Sequence, residues 1–322
     1  MRGAPGMRGI CVAAALCCGV AGAQEYPVKP IRTVVGFAPG GPADLVVRPV
    51  AQKLHEMLGQ PVVIDYRAGA NGVIGAEIVA KSAPDGYTLL ATTSGFTINP
   101  NTFAKLPFDT IKDFAPISLT ANSDIAFMVN PVVPARTLKE FIAVAKARRN
   151  ALTYGSSGTG GSLHLGGEML KLATGIDMLH VPYKGAILAM ADVIGGHIDV
   201  MFISVPPAIP QVKAGKLRAL ATASAKRARG LPDVPTFAEL GYADFEVDAR
   251  YGLVAPAGTP REIIAKLSAA VAKAAQTSDL KERYAGLGLE PISATPEQYA
   301  EHIRRDIEKW RKVVAAAKIK PQ

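Results

Sequence analysis

From Ile31 onward, short β-branched apolar runs alternate with longer segments whose apolar positions recur every three or four residues. That alternation of strand and helix periods predicts an α/β protein. "IRTVVGF" reads as a strand, "LVVRPVAQKLHEMLG" as a helix closed by Gly59, "PVVIDYR" as a strand, "GVIGAEIVAKSA" as a helix and "YTLLATTS" as a strand. This βαβαβ series supplies the makings of a parallel sheet. A second series begins near "DIAFMVNP" and runs through "LKEFIAVAKARRN", "LTYGSS", "SLHLGGEMLKLATG", "DMLHVPY", "AILAMADVIGG" and "IDVMFIS". "FEVDARYGLVAPAGTP" then reads as a strand leading back. Two consecutive βα series suggest two lobes: residues 24–123 begin the first, 124–247 form the second, and 248–322 return to the first and add C-terminal helices.

Two late helices carry start signals. Thr259-Pro260-Arg261-Glu262 and Thr295-Pro296-Glu297-Gln298 each combine a Thr N-cap, Pro at the first helical position and an acid or amide at the third. Tyr299, Ile303, Ile307, Trp310 and Val314 then mark one apolar face, on which Trp310 reads as a core anchor. Pro49 conflicts with its helical surroundings, so the first helix is expected either to start near Pro49 or to kink there.

The first residues follow another pattern. Arg2 and Arg8 precede an apolar run from Ile10 to Val20 and the small-residue ending Ala21-Gly22-Ala23, which together read as a secretory signal peptide cut after Ala23. All three cysteines lie inside it, so the mature chain is expected to have no disulfide and no thiolate chemistry. Removing the two arginines leaves 34 basic residues against 27 acids, a charge of +7. These charges are dispersed and few aromatics are interleaved with them, which argues against nucleic acid and toward small anions.

"YGSSGTGGSLHLGGEML", Tyr154 to Leu170, concentrates the candidate chemistry. No Lys follows its glycines, so it is not a phosphate loop of the G-x-x-x-x-G-K-[ST] type, and Leu163 stands where a dinucleotide fingerprint needs its third Gly. A nucleophile elbow would need Gly where Thr159 stands. His164, His180 and His197 are single histidines with no second ligand at helical spacing, and they read as packed or surface residues. What is left is an anion site: glycines that let backbone N–H groups converge, Ser162 as N-cap, and the positive end of the helix that follows. The same loop is also what a tight strand-helix turn requires. Gly166 and Gly167, inside the helix, imply a close approach by some neighbour. "VVGFAPGGPADLVVR" repeats the strand, glycine and helix design earlier in the chain.

Taken in order, "YPVKPIRTVVGFAPGGPAD", "LGQPVVIDYRAGANGVIGAE", "PDGYTLLATTS", "HVPYKGA", "IGGHIDVMF", "LPDVPTFAELG" and "GLVAPAGTP" resemble the Bug or TctC family, the solute-binding proteins of tripartite tricarboxylate transporters. The resemblance spans about Tyr26 to Ile319. It implies a type II periplasmic-binding-protein fold, two α/β lobes closing on a small organic acid, no cofactor, a monomer, and a membrane permease as partner. It implies carboxylate binding by Phe37, Ala38, Gly40, Gly41 and Asp44, by Thr93 and Ser94, and by Ser157, Thr159, Gly160, Gly161 and Ser162. Three departures bear on specificity. Thr159, Gly161 and Leu163 stand where many relatives have Asn, Thr and Ser, so backbone donors are expected to contribute more there. Ile203 and Ser204 stand where relatives often carry an acid that would meet a ligand ammonium, so an amino-acid ligand is disfavoured. Arg250 stands where an aromatic is common; it either clamps a second carboxylate or points to solvent beside Asp248.

The expected function is capture of a mono- or dicarboxylate and delivery to a transporter, with no catalysis. The alternatives are a receptor that reports its ligand to a membrane sensor, and an exported hydrolase using Ser157 or Ser162 with His164.

Overall fold

The computed structural model describes residues 26–147 and 152–321, so the signal-peptide reading lies outside the described residues. Strand β1 (Ile31–Val35) leads to helix α1 (Pro42–Leu58), β2 (Val62–Tyr66), a 3-10 turn (Ala70–Gly72), α2 (Val73–Ala80), β3 (Thr88–Thr92) and α3 (Gly95–Thr102). The long strand β4 (Phe114–Val129) is followed by α4 (Leu138–Ala147), β5 (Thr153–Ser156), α5 (Ser162–Thr174), β6 (Leu179–Pro182), α6 (Ala186–Gly195), β7 (Val200–Ser204), α7 (Val205–Lys213) and β8 (Arg218–Thr222). β9 (Asp248–Pro256), α8 (Arg261–Gln276), α9 (Ser278–Gly286), β10 (Leu289–Pro291) and α10 (Pro296–Ala316) complete the chain.

The strands form one curled mixed sheet in the order β2-β1-β3-β9-β4-β7-β5-β6, with β8 and β10 also pairing β4. Each βα series gives a parallel trio. β1 sits between β2 and β3, and β5 sits between β7 and β6. The antiparallel pair β4–β9 joins the two halves: β4 pairs β9 from Phe114 to Asp124 and pairs β7 from Ile125 to Val129. β4 is 16 residues long, whereas its sequence reads as a strand only from near Asp124.

Parallel strands covered on both faces should be apolar throughout; β1 buries Ile31, Val34 and Val35 fully but departs from the rule at Thr33 and at Arg32, which bonds Asp65 of β2. α1 starts at Pro42, where a missing N–H costs nothing, ends at Gly59 in the left-handed region, and runs through Pro49 rather than starting there. The α10 cap has the reciprocal Thr295–Gln298 bonds that its sequence predicts. The matching expectation at Thr259 fails. α8 starts at Arg261 without a side-chain cap, because the Thr259 hydroxyl donates to the Pro256 carbonyl at the end of β9 instead. Proline also hid two helices, α3 with Pro100 and α7 with Pro206, Pro207 and Pro210.

α10 buries Tyr299, Ile303, Trp310 and Val314, with Trp310 almost fully enclosed. It docks on the first half: the Tyr299 hydroxyl is 2.6 Å from Thr92 Oγ1, Asn101 Nδ2 donates to the Ile307 carbonyl at 2.9 Å, and Asp306 accepts from Thr97 and from Trp310 Nε1. The close approach implied at the α5 glycines is also present. A Cβ on Gly167 would lie 2.3 Å from Tyr154 Cε2 and one on Gly166 3.1 Å from Phe202 Cγ, so these rings occupy the space a side chain would need.

Because Tyr154 is walled in by the core, it cannot retreat cheaply, and Gly167→Ala should overpack the second half by about 1–3 kcal/mol despite its better helix propensity. Urea unfolding checks this: the midpoint should fall, and an unchanged or raised midpoint would mean that the ring yields.

Candidate functional site

The loops that follow the two central strands, β1 and β5, face each other across a cavity of about 540 Å³. Phe37 to Ala43 line one side, and Ser157, Gly161, Ser162 and Leu163 the other. Asn71, Thr93, Ser94 and Gly95 extend the first side; Lys184 to Leu188, Ile203, Ser204, Pro207, Ala249 and Tyr251 complete the wall.

The helix N-termini dominate its electrostatics. Among the described residues, five helices begin at this lining: α1 at Gly41–Ala43, α3 at Ser94–Gly95, α5 at Gly161–Leu163, α6 at Gly185–Leu188 and α7 at Ser204. Each brings a partial positive charge of about half a unit, and all but α7, whose first turn holds Pro206 and Pro207, bring first-turn N–H groups that have no carbonyl partner within the helix. Lys184 is the one charged side chain among the described lining residues, and no carboxylate lies among them. An anion is the occupant these fields favour.

Buried polar groups hold the two loops in shape from behind. Asp44 is buried in α1 and accepts from the Gly40 N–H at 2.8 Å, from Arg48 Nε and from the Tyr66 hydroxyl at the end of β2. Burial pushes the Asp44 carboxyl up, but these donors outweigh it and hold it below the usual carboxylate range. Asp44 therefore does not line the cavity and occupies the Gly40 N–H, while Gly41 and Ala43 of the same loop do line it.

Behind the second loop lies a stack of rings. His164 Nδ1 accepts from the Gly160 N–H at 3.1 Å, the His164 and His180 rings are 4.0 Å apart, and His180 Nε2 is 2.7 Å from Ser156 Oγ. Tyr154 stacks on both histidines and donates to Glu168. Burial lowers both histidines, His180 to about 3, with the neighbouring His164 and Lys171 adding to it. A neutral His164 is what the Gly160 bond requires, since a protonated Nδ1 could not accept.

The structure thus separates the sequence-predicted residues. Phe37, Ala38, Gly40, Gly41, Thr93, Ser94, Ser157, Gly161, Ser162 and Ser204 meet at the cavity. Thr159 and Gly160 do not line it; Thr159 is exposed, and Gly160, at φ +79°, packs on Thr102 at the end of α3. Gly161 is the N-cap of α5 and Ser162 its first residue, with no side-chain cap bond, so the expected Ser162 cap is replaced by bare backbone. Arg250 does not line the cavity: strand alternation turns Ala249 and Tyr251 inward, while Arg250 Nη1 lies 3.1 Å from His302 Nδ1 and Nη2 3.6 Å from Glu246. His164, busy with Gly160 and packed on His180, is not offered to Ser157 or Ser162, which removes the hydrolase arrangement. Sequence reasoning missed Asn71, Gly95, Lys184 to Leu188, Pro207, Ala249 and Tyr251. The Lys184-Gly185 turn repeats the strand, glycine and apolar-helix order of the other two loops and was findable by that signal.

This geometry agrees with comparisons to known proteins. A family model for the tripartite tricarboxylate transporter family receptor, TctC, matches residues 46–319. The chain belongs to the TctC family. Protein BugT of Bordetella pertussis is 36% identical over 316 residues, 97% of each chain. The solved structure of a periplasmic transporter is similar at 43% identity with a TM-score of 0.85, covering 92% of this chain and 99% of that one. R. palustris Rpa4515 with adipate is similar at 32% identity with a TM-score of 0.86, covering 92% and 100%. TctC receptors are binding proteins, and this TctC protein has their periplasmic-binding-protein fold.

The depressed histidines make a pH prediction for the TctC fold. Between about pH 3 and the ordinary histidine value near 6.5, the unfolded chain binds protons at His180 that the folded one refuses, so stability falls as pH falls through this window. In His180→Phe, which keeps the ring stack, the loss of urea-unfolding free energy between pH 6.5 and 4 should be shallower than in wild type; identical slopes would place the acid sensitivity elsewhere.

Proposed function

We propose that this TctC protein is a periplasmic, non-catalytic receptor that captures a small organic carboxylate and delivers it to the permease subunits of a tripartite tricarboxylate-type transporter, acting as a monomer after cleavage at Ala23. The observation that carries the carboxylate reading is the convergence of the N-termini of α1, α3, α5 and α6 and of Lys184 on a cavity whose described lining holds no acid. The adipate bound by the similar R. palustris protein supports it. Residues 24–123 with 248–322 are read as one lobe and 124–247 as the other. Their hinge is placed where β4 crosses from β9 to β7, at Ser123–Asp124 opposite Asp248–Ala249, because these adjacent strands are the covalent link across the sheet.

In the closed state, one carboxylate oxygen is expected to take the Ser162 and Leu163 N–H groups and the other to take Gly41 and Ala43, directly or through water. The Ser157 and Ser162 hydroxyls would adjust to either.

Calorimetric titration with a panel of organic acids and their primary amides tests this reading. Acids should bind and the amides should not, since the amide removes the charge that the site answers. Lys184→Met should weaken the acid about three- to tenfold at low salt, with a smaller effect at high salt because Lys184 is exposed and screened. Amides binding as well as acids would contradict a carboxylate site.

A further inference from the structure

The cavity wall has two chemically different parts, and the division bears on which carboxylates it accepts. Backbone donors come from the N-termini of α1, α3, α5 and α6, and positive charge from Lys184 on the α5 side. The residue before Lys184 is tied to the α5 loop, with the Tyr183 N–H donating to the Ser156 carbonyl and the Tyr183 carbonyl beside Gly158, so Lys184 adds its charge to the same end.

The wall formed by β7, α7 and β9 is different. Ile203, Pro207, Ala249 and the ring of Tyr251 face the cavity there, with Ile187 and Leu188 of α6 beside them. α7 does begin at this wall, but Pro206 and Pro207 fill its first turn and have no N–H, and the Val205 N–H belongs to a residue only 1% exposed. A smaller recess of about 40 Å³ adjoins it, lined by Leu45, Pro206, Pro207 and Leu289 but also by Gly40, Ser123 and Ser204. The polar groups on this wall are the hydroxyls of Ser204 and Tyr251. Arg250, the cation nearest in sequence, is turned to His302 and Glu246.

Resting on the carboxylate reading above, we infer that the site is built for an amphipathic monocarboxylate, one carboxylate on an aromatic or branched aliphatic body, and that it selects against ligands with a second carboxylate at the far end. A second carboxylate reaching the β7–α7–β9 wall would shed its water and gain no cation and few donors. An apolar group of the same shape gains burial against Ile203, Pro207 and Leu188 instead.

Two near-isosteric pairs test the inference by calorimetry: 4-isopropylbenzoate against terephthalate, and 6-methylheptanoate against adipate. In each pair the monocarboxylate should bind at least about tenfold more tightly, and a dicarboxylate that binds equally or better overturns the inference. Leu188→Arg is at an exposed helix position, and circular dichroism verifies its fold. It should shift the ratio about tenfold toward the dicarboxylates, and an unchanged ratio would overturn the assignment of this wall. 4-Isopropylbenzamide separates the two claims: its binding as tightly as the acid would sink the carboxylate reading while the preference for an apolar body stands. Binding of neither acid in either pair would sink both.

Discussion

A helix that follows a parallel strand in a right-handed crossover must start at the carboxyl end of that strand, and this constraint organises the protein. β1, β3, β5, β6 and β7 all deliver the N-terminus of the next helix to the same cavity. Because the β4–β9 pair brings two such sheets edge to edge, the positive ends of helices from both halves converge. The electrostatic character of the site is therefore a property of topology, and side chains modify it. This is why a cavity with a single lysine among its described lining residues can serve an anion.

Backbone donors must be held in place to be useful, and the two loops use different devices. Asp44 ties Gly40, Tyr66 and Arg48 together as an ionised carboxylate with charge-assisted bonds. The second loop depends on an unprotonated His164 that accepts from Gly160 within a stack of buried rings. The first device is lost when its carboxylate is protonated in acid; the net stability that the second brings begins to fall at higher pH, where histidines in the unfolded chain already bind protons. Neither group touches the cavity, yet both set the direction in which the free N–H groups point.

Much of this was legible in the sequence where local rules and the fold agree. The βα alternation, the Gly59 stop, the Thr295 capping box and the Trp310 face all follow local chemistry, and tertiary packing leaves them intact. Legibility failed where a distant partner decides. Thr259 looks like a cap but spends its hydroxyl on Pro256, and α3 and α7 form despite prolines, with α3 packed against α10 and α7 against β4 and β7. At the site, glycine-rich turns marked both anion loops, but strand alternation alone could not show which way Arg250 points; His302, from α10, decides it. Asp44 was assigned to the ligand because the sequence does not reveal Tyr66 and Gly40 as its partners.

The central claim is that backbone N–H groups from both halves grip one carboxylate together. Amide proton NMR on the labelled protein addresses it directly, using whichever carboxylate saturates the site in titration. The account predicts that the Gly41 and Ala43 amides and the Ser162 and Leu163 amides all move downfield with the same saturation curve, while Gly40 and Gly160, already bonded to Asp44 and His164, move far less. Shifts confined to one of the two loops, or the largest shifts at Gly40 and Gly160, would contradict it.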